Sequence, residues 1–230
     1  MHKFLKISAT AVVLALSSFG ASAIVAVSSF NFYTSEAAFT SATGLSAFES
    51  FEALAGSSRS ANPVVVSGFT VVPVGLALLG VQVGAETPET GNGASATHGS
   101  NYLLSYLPNQ PTGSLRFDFN TPVTAFGLHV IDAGEAAGDI IVQTNSGESS
   151  TPFAAFSFTN LTLQPNGNVL FLGFSQSTSF TSLTLTVNGV DDSYGLDKVY
   201  VQSVPEPGQW ATLLAGLLSV FGVVRRRLGR

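Results

Sequence analysis

Apolar side chains in the middle of the chain recur at every second position, and this alternation restricts the fold more than any other feature. Leu115, Phe117 and Phe119 alternate with Arg116 and Asp118. Successive side chains of a strand point to opposite faces, whereas one face of a helix repeats about every 3.6 residues. The run therefore predicts a β-strand with one buried face, interrupted before Pro122.

The same pattern predicts further short strands, which Gly, Asn, Pro and Ser separate. They cover Phe126 to Val130, Ile140 to Val142, Phe153 to Phe158, Val169 to Phe174, Leu183 to Val187, and Val199 to Val201. Tight turns are predicted at Asn145-Ser146-Gly147, Asn166-Gly167 and Asn188-Gly189, because Asn and Gly tolerate the positive φ of a hairpin turn. Short strands joined in this way favour a sandwich of two sheets.

Two segments depart from the strand pattern. Ser35 is placed to cap a short helix that runs from Glu36 to Gly44. The segment from Glu86 to Ser100 is polar and rich in glycine, which predicts a long exposed loop. The predicted fold class is all-β, a sandwich with one short N-terminal helix.

Charge and cysteine content exclude several classes of function. Residues 24–203 carry thirteen acidic side chains against three basic ones, Arg59, Arg116 and Lys198. Such a domain repels phosphate backbones, so we expect no nucleic acid partner, and cations are the more natural counterpart. The chain has no cysteine, which excludes disulfides, thiolate metal sites and a thiol nucleophile.

The first 23 residues have the order of a signal peptide. Lys3 and Lys6 precede an apolar run from Ile7 to Phe19, and Ala21-Ser22-Ala23 follows. Small residues at Ala21 and Ala23 are the pattern after which signal peptidase cuts, so we expect the mature chain to begin at Ile24. A buried N-terminal helix is the alternative interpretation.

The last 27 residues contain a second targeting pattern. Val204-Pro205-Glu206-Pro207 precedes an uncharged stretch from Gly208 to Val224, and Arg225, Arg226 and Arg227 follow directly. Seventeen uncharged residues lie at the short end of what spans a bilayer, which predicts a C-terminal transmembrane helix. The arginines favour the cytoplasmic side, which places the upstream chain outside the inner membrane, in agreement with the signal peptide.

This tail, with Gly216 and Gly222 in its helix, resembles the PEP-CTERM sorting tails of Gram-negative bacteria. The resemblance implies removal of the tail near Glu206 by an exosortase, a membrane cysteine protease, and delivery to the cell surface or into exopolysaccharide. Pro205 and Pro207 keep the motif extended, as a protease cleft requires. An ordinary C-terminal membrane anchor is the alternative.

The mature sequence also resembles the jelly-roll domains of PEP-CTERM proteins and, distantly, carbohydrate-binding modules. The resemblance rests on "TSEAAFTSATGLSAFESFE", "LRFDFNTPVTAFGLHVIDAG" and "YGLDKVYV". It implies a jelly-roll-like β-sandwich. The expected organisation is a signal peptide at residues 1–23, the sandwich at 24–203 and the sorting tail at 204–230.

Carboxylates without sulfur ligands suit calcium better than softer metals. Asp197 shares its alternation with Val199 and Val201, which predicts a core-facing carboxylate that needs a cation or several donors. In the carbohydrate-binding modules that the chain resembles, an early acid and a late Asp hold a structural calcium, which implies Glu49 or Glu52 together with Asp197. The alternative is that Asp197 accepts backbone amides. Further candidate calcium ligands are Asp132, Glu135, Asp139, Asp191 and Asp192. For the acids from Asp132 to Asp139, a solvated loop is the simpler interpretation.

Catalytic signals are weak, so we expect a protein that is not an enzyme. His98 and His129 are the histidines outside the signal peptide, and Gly-x-Ser-x-Gly is absent from the sequence. Trp210 lies in the tail, which leaves Tyr102 and Tyr194 as candidate platforms for a sugar ring, with edge packing as the alternative. The expected function is a surface or matrix protein associated with exopolysaccharide or biofilm. The alternatives are a carbohydrate- or ice-binding module, although Thr184 and Thr186 are few for an ice-binding array, and a secreted hydrolase.

Overall fold

The computed structural model describes residues 30–84, 95–106, 112–132, 140–145, 152–158, 167–188 and 193–204, together with Gly216. This part of the chain contains ten strands and the helix α1 (Glu36–Thr43). The strands are β1 (Phe30–Tyr33), β2 (Val64–Val65), β3 (Phe69–Val74), β4 (Leu78–Val83), β5 (Asn101–Tyr106), β6 (Thr112–Ile131), β7 (Ile140–Asn145), β8 (Pro152–Phe158), β9 (Val169–Asn188) and β10 (Ser193–Ser203).

Strands β6 and β9 are each 20 residues long and run through both layers of the sandwich. They pair antiparallel along their whole length, with register shifts between Asp118 and Ala125. Such irregularities bend a strand, so the two halves of each strand lie in different layers. Layer one has the order β2-β3-β6-β9-β7-β8, and layer two has the order β4-β5-β10-β6-β9-β1.

The core lies between the two layers. Leu115, Phe117 and Leu183 of layer one and Leu103 and Leu196 of layer two belong to one cluster of buried side chains. Phenylalanine rings fill the bend, where the ring centroids lie 5.0 to 6.0 Å apart in the pairs Phe117–Phe126, Phe119–Phe126, Phe119–Phe180, Phe126–Phe174 and Phe174–Phe180. Aromatic side chains bury more area than other residues, which makes this bend a main source of hydrophobic stabilisation.

The prediction of an all-β sandwich with one short helix is confirmed within the described residues. Leu115, Phe117 and Phe119 are buried, whereas Arg116 and Asp118 are exposed and form an ion pair of 2.8 Å on the outer face of layer one. The predicted interruption before Pro122 is not observed, because β6 continues through this position as one strand. The proline is tolerated because it lies in the bend, where the ladder of hydrogen bonds is already irregular.

Helix α1 begins and ends as the sequence predicts. Ser35 caps its start, and Gly44 ends it with a φ of 72°, a conformation that glycine adopts without strain. The helix covers the outer face of layer two through Phe39, which is fully buried. Phe39 lies over Gly127 and Gly173, which face each other on β6 and β9. A Cβ atom added at either glycine would lie too close to the Phe39 ring, at 3.0 Å for Gly127 and 2.8 Å for Gly173. The absence of a side chain at both positions therefore lets helix α1 pack on layer two.

Candidate functional site

Asp197 is fully buried and accepts hydrogen bonds on both oxygens. Its Oδ2 accepts from the Thr97 backbone N–H at 2.7 Å, the Thr97 hydroxyl at 2.9 Å and the His98 N–H at 2.8 Å. Its Oδ1 accepts from the Lys198 N–H at 2.7 Å. A buried carboxylate is tolerated when hydrogen bonds replace its hydration, and these four donors do so.

The predicted orientation of Asp197 is wrong, although its burial is correct. Lys198 has a φ of 49° and lies in a bulge of β10, where the pairing with β6 shifts between Asp197 and Tyr200. The bulge reverses the alternation, because the extra residue turns the following side chains to the other face. Leu196 and Val199 therefore both face the core, whereas Asp197 lies opposite His129 on the outer face of layer two.

Glu52 holds the same segment from its other end. Its Oε1 accepts from the backbone N–H groups of Ser100, at 2.9 Å, and Asn101, at 2.6 Å. The hydrogen bond from Asn101 is the first cause of a pKa of Glu52 below its ordinary value of 4.5. Glu52 and Asp197 thus both fasten the segment from Thr97 to Asn101 through backbone N–H groups, which for Asp197 is the alternative to a calcium ligand.

The donors around these carboxylates are N–H and O–H groups, which point hydrogen atoms at the oxygens that a calcium ion would need. Glu49, the third predicted ligand, accepts from the Phe51 N–H at 2.6 Å. Across the described residues, three or more acidic or histidine side chains do not come together in a group that could hold a metal. Asp197 as it stands therefore does not fit a calcium ligand, and calcium binding by Glu49 and Glu52 stays a prediction.

A charged cluster lies beside Asp197, between helix α1 and layer two. Glu36 accepts on Oε1 from Lys198 Nζ and the Tyr200 hydroxyl, and its Oε2 lies 3.1 Å from His129 Nε2. The other nitrogen of His129 lies 2.9 Å from the Thr97 hydroxyl. The cluster therefore joins the first turn of the helix to β6, to β10 and to the Thr97 segment.

Burial and charge shift the pKa values of this cluster. Burial alone raises the pKa of Glu36, but the hydrogen bonds from Lys198 and Tyr200 and the nearby positive charge outweigh it, so the pKa lies below 4.5. Burial lowers the pKa of His129 below 6.5, and the charge of Glu36 opposes this shift only in part. Burial, followed by the bond to Glu36, raises the pKa of Tyr200. Acid therefore weakens the attachment of helix α1, because the folded state disfavours protonation of both Glu36 and His129.

An open cavity of about 380 Å³, called the end groove, lies beside the end of β10. Its polar rim residues are Glu49, Ser67, Asn120, Thr121 and Ser203, and its apolar lining includes Ala47, Phe48, Phe69, Val199 and Val201. The rim residues come from separate segments and from the end of β10. Glu49 pairs with Val199 through two backbone hydrogen bonds of 2.8 Å, which continue layer two by one residue.

Both tyrosines predicted as sugar platforms are buried, at 0% exposure for Tyr102 and 2% for Tyr194. Burial also raises the pKa of Tyr194 to about 12. Neither ring can stack on a sugar, so that prediction is wrong and the alternative of packing is confirmed. Proximity to a predicted loop was misleading here, because Tyr194 packs in the core with Leu196 and Tyr102 packs with Leu104, Ile131 and Ala96.

The other candidate residues fall into two groups. Asp132 is buried at the end of β6, with Oδ1 accepting from the Gly167 N–H at 2.7 Å, so the interpretation as a solvated residue is wrong for this acid. His98 lies outside the strands, as predicted. His129 lies opposite the side of Leu128 and Val130, also as predicted. The second group lies outside the described residues and comprises Ala21, Ala23, Glu135, Asp139, Asp191, Asp192, Pro205, Glu206, Pro207, Arg225, Arg226 and Arg227. In the part of the chain that the structure covers, no helix is both long and apolar enough to cross a bilayer.

No protein-family model matches the chain, and no curated protein matches it. Among solved structures it is similar to the K2 cleaved adhesin domain of Lys-gingipain, with 13% identity over 68% of this chain and 97% of that one and a TM-score of 0.45. It is also similar to a family 11 carbohydrate-binding module from Clostridium thermocellum, with 7% identity over 67% of this chain and 99% of that one and a TM-score of 0.33. A GH29 fucosidase from Ruminococcus gnavus matches 57% of this chain and 26% of its own, with 10% identity and a TM-score of 0.28. At these TM-scores we base no functional conclusion on the similarities.

Sequence reasoning missed the residues that hold the Glu36 cluster and the end groove. Lys198 and Tyr200 lie on the face opposite Val199, but their contact with Glu36 depends on where helix α1 packs, which alternation along β10 cannot reveal. Asn120 and Thr121 lie in the bend of β6 beside Pro122, and that proline is the one signal that could have directed attention to them.

Proposed function

We propose that the chain is an exported, non-catalytic protein of the cell surface or extracellular matrix, sorted by the tail at residues 204–230. The observation that carries this proposal is the order Val204-Pro205-Glu206-Pro207, apolar stretch, then Arg225 to Arg227, in a chain that also begins with a signal-peptide pattern. Signal peptidase and an exosortase would process the two ends, and the inner membrane would hold the precursor until then. The acidic domain would reach the surface in association with exopolysaccharide.

The end of the sandwich supports this proposal. Strand β10 ends at Ser203, which pairs with Val123, and the Val204 N–H donates to the Pro122 carbonyl at 2.8 Å. Pro205 has no N–H to continue such pairing. The predicted processing motif therefore starts directly after the last strand residues, so a protease can remove the tail without breaking a strand.

The chemistry of the carboxylates supports a non-catalytic role. Asp197 and Glu52 accept backbone N–H groups, and Glu36 is engaged by three side chains. An acid or base in an active site needs a hydrogen-bonding position open to substrate. The hydrogen bonds of these carboxylates within the protein give them a structural role that requires no substrate.

Sorting can be tested by expressing the full chain in a bacterium that has an exosortase and in a strain of it that lacks the enzyme. We expect the wild-type chain to lose its tail and appear at the surface, with the loss measured as intact mass and the location by protease accessibility on whole cells. In the deficient strain, and for Glu206→Ala in the normal strain, the uncut chain should stay in the inner membrane. Arg59→Ala, which changes a charge far from the tail, is the control. Equal mass and location in both strains would refute sorting and leave a plain anchor.

A further inference from the structure

The end groove has the construction of a ligand site that exists before the ligand arrives. Asn120 fastens one wall through its N–H to the Gly68 carbonyl at 3.1 Å and through Nδ2 to the Ser67 carbonyl at 2.9 Å. Glu49 fastens the other wall by its two backbone bonds to Val199. Walls held in this way lose little entropy when a ligand binds, and the volume of about 380 Å³ lies within the range of small-ligand sites.

The lining of the end groove combines apolar and polar residues. Phe69 and Val199 are buried beneath it, and Ala47, Phe48 and Val201 are the apolar lining residues that keep exposed surface. Ser67, Thr121 and Ser203 add hydroxyl groups to the edge. A pyranose has the same two-sided character, with C–H groups that pack on apolar surface and hydroxyl groups that need hydrogen-bond partners.

The charge of the end groove selects against anions. Glu49 is its one charged lining residue, and lysine and arginine are absent from the lining found among the described residues. A phosphate, sulfate or uronate would face this carboxylate without a cation to balance it. A bound peptide would need hydrogen-bond partners for its backbone N–H and C=O groups, whereas the rim offers mainly side-chain hydroxyls. A neutral ligand rich in hydroxyl groups therefore fits the end groove best.

We propose that the end groove binds a segment of a neutral polysaccharide, with Glu49 and Asn120 as the residues that determine specificity. Glu49 uses Oε1 for the Phe51 N–H, and its Oε2 accepts from a sugar hydroxyl. Asn120 keeps one N–H on Ser67 and offers Oδ1 and its second N–H to neighbouring hydroxyls. This inference rests on the proposed association with exopolysaccharide and assigns it a site.

The test uses the full chain, purified in a mild detergent, and the exopolysaccharide of the source bacterium, separated by anion exchange into neutral and charged fractions. Affinity electrophoresis measures Kd from the retardation of the band. We expect retardation by the neutral fraction, weakened about 10-fold or more by Glu49→Gln, since a hydrogen bond to a charged group is lost. Gln still accepts from the Phe51 N–H, so this variant keeps the local fold.

Asn120→Ala should weaken binding by a similar factor, and Asn62→Ala, an exposed asparagine in a turn away from the end groove, is its matched control. Thr121→Val keeps the shape of the wall and removes one hydroxyl, so it reports binding even if Asn120→Ala loosens the wall. Unchanged Kd in Glu49→Gln and Thr121→Val would overturn the assignment of the site. The assignment of a neutral polysaccharide as the ligand would be overturned if the protein band were retarded only by the charged fraction, only by unfolded casein, or by none of these.

The outcome is separable from that of sorting. A chain that is cut and reaches the surface but does not bind the neutral fraction refutes the inference and leaves the proposed sorting intact. A chain that binds the neutral fraction through Glu49 and Asn120 but is never cut refutes sorting and leaves the end groove as a saccharide site.

Discussion

Replacing Asp197 by Asn removes one charge while it keeps the size of a fully buried side chain. The single amide oxygen of Asn can replace only one of the two carboxylate oxygens. We expect it to replace Oδ2, which accepts three hydrogen bonds from Thr97 and His98. Those three bonds lose their ionic character, at about 1 kcal/mol each, since bonds to charged groups contribute about 1.5–3 kcal/mol and neutral ones about 0.5–1.5. The new NH₂ group would face the Lys198 N–H, which leaves a donor unpaired at a cost of about 1–3 kcal/mol. With the unpaired donor taken at the lower end of its range, these terms give an expected loss of stability of about 4 kcal/mol.

Thermal unfolding of the full chain in mild detergent, followed by near-UV circular dichroism, measures this loss. A change of 1 kcal/mol shifts Tm by about 2–4 °C in a domain of this size, so we expect a fall of about 8–16 °C. Asp118→Asn is the matched control, because Asp118 is exposed and its ion pair with Arg116 should contribute less than about 1 kcal/mol. Hydrogen exchange at the Thr97 and His98 amides should also accelerate in Asp197→Asn. A fall in Tm no larger than that of Asp118→Asn would show that the four bonds do not hold this segment.

Three further predictions concern the packing of helix α1, pH and calcium. Gly173→Ala should cost about 1–3 kcal/mol, because the added carbon would lie 2.7 Å from the Phe171 ring and 2.8 Å from the Phe39 ring, and Phe39→Leu should remove part of that cost in a double-mutant cycle. Gly68→Ala, whose added carbon meets nothing within 4 Å, is the control, and additive effects of Gly173→Ala and Phe39→Leu would contradict the packing of the helix on this glycine. Because the pKa values of His129 and Glu36 are lowered in the folded state, stability should decline as pH falls below 6.5 for His129 and below 4.5 for Glu36. Glu36→Gln should flatten the decline of Tm between pH 5 and 3, and an unchanged profile would count against the cluster. Calcium addition and chelation should leave Tm unchanged, because Asp197 already accepts four donors; a rise with calcium that chelation reverses would restore the calcium prediction.

The strands and the helix were predictable because local patterns specify them. The capping serine and the closing glycine bracket α1 within one residue of its observed ends. Alternation identifies the buried face of β6 at Leu115, Phe117 and Phe119 correctly, since any sheet that buries one face uses the same period. The joining of two predicted runs into one bent strand was not predictable, because the bend depends on how the phenylalanines of both layers pack.

The candidate site was predictable only in part. The sequence offered two interpretations of Asp197, a calcium ligand together with Glu49 or Glu52 and an acceptor of backbone amides, and the structure shows the second. It could not reveal which amides these are, because their positions depend on the path of a segment about 100 residues away in the chain. Tyr102 and Tyr194 were misjudged for the same reason, since proximity to a loop says nothing about what covers the ring.

The sequence by itself determined the alternation that makes this chain a sandwich, the acidity from which we expect no nucleic acid partner, and the order of charges and prolines on which the sorting proposal depends. These are properties of neighbouring residues, so no folding is needed to recognise them. The tertiary structure decided which carboxylates are satisfied, which face Asp197 occupies and where the end groove lies. One bulge at Lys198 places Asp197 and Tyr200 on the same outer face, where regular alternation would place them on opposite faces, because a single extra residue in a strand reverses the side chains after it. Contacts between distant segments fix such details.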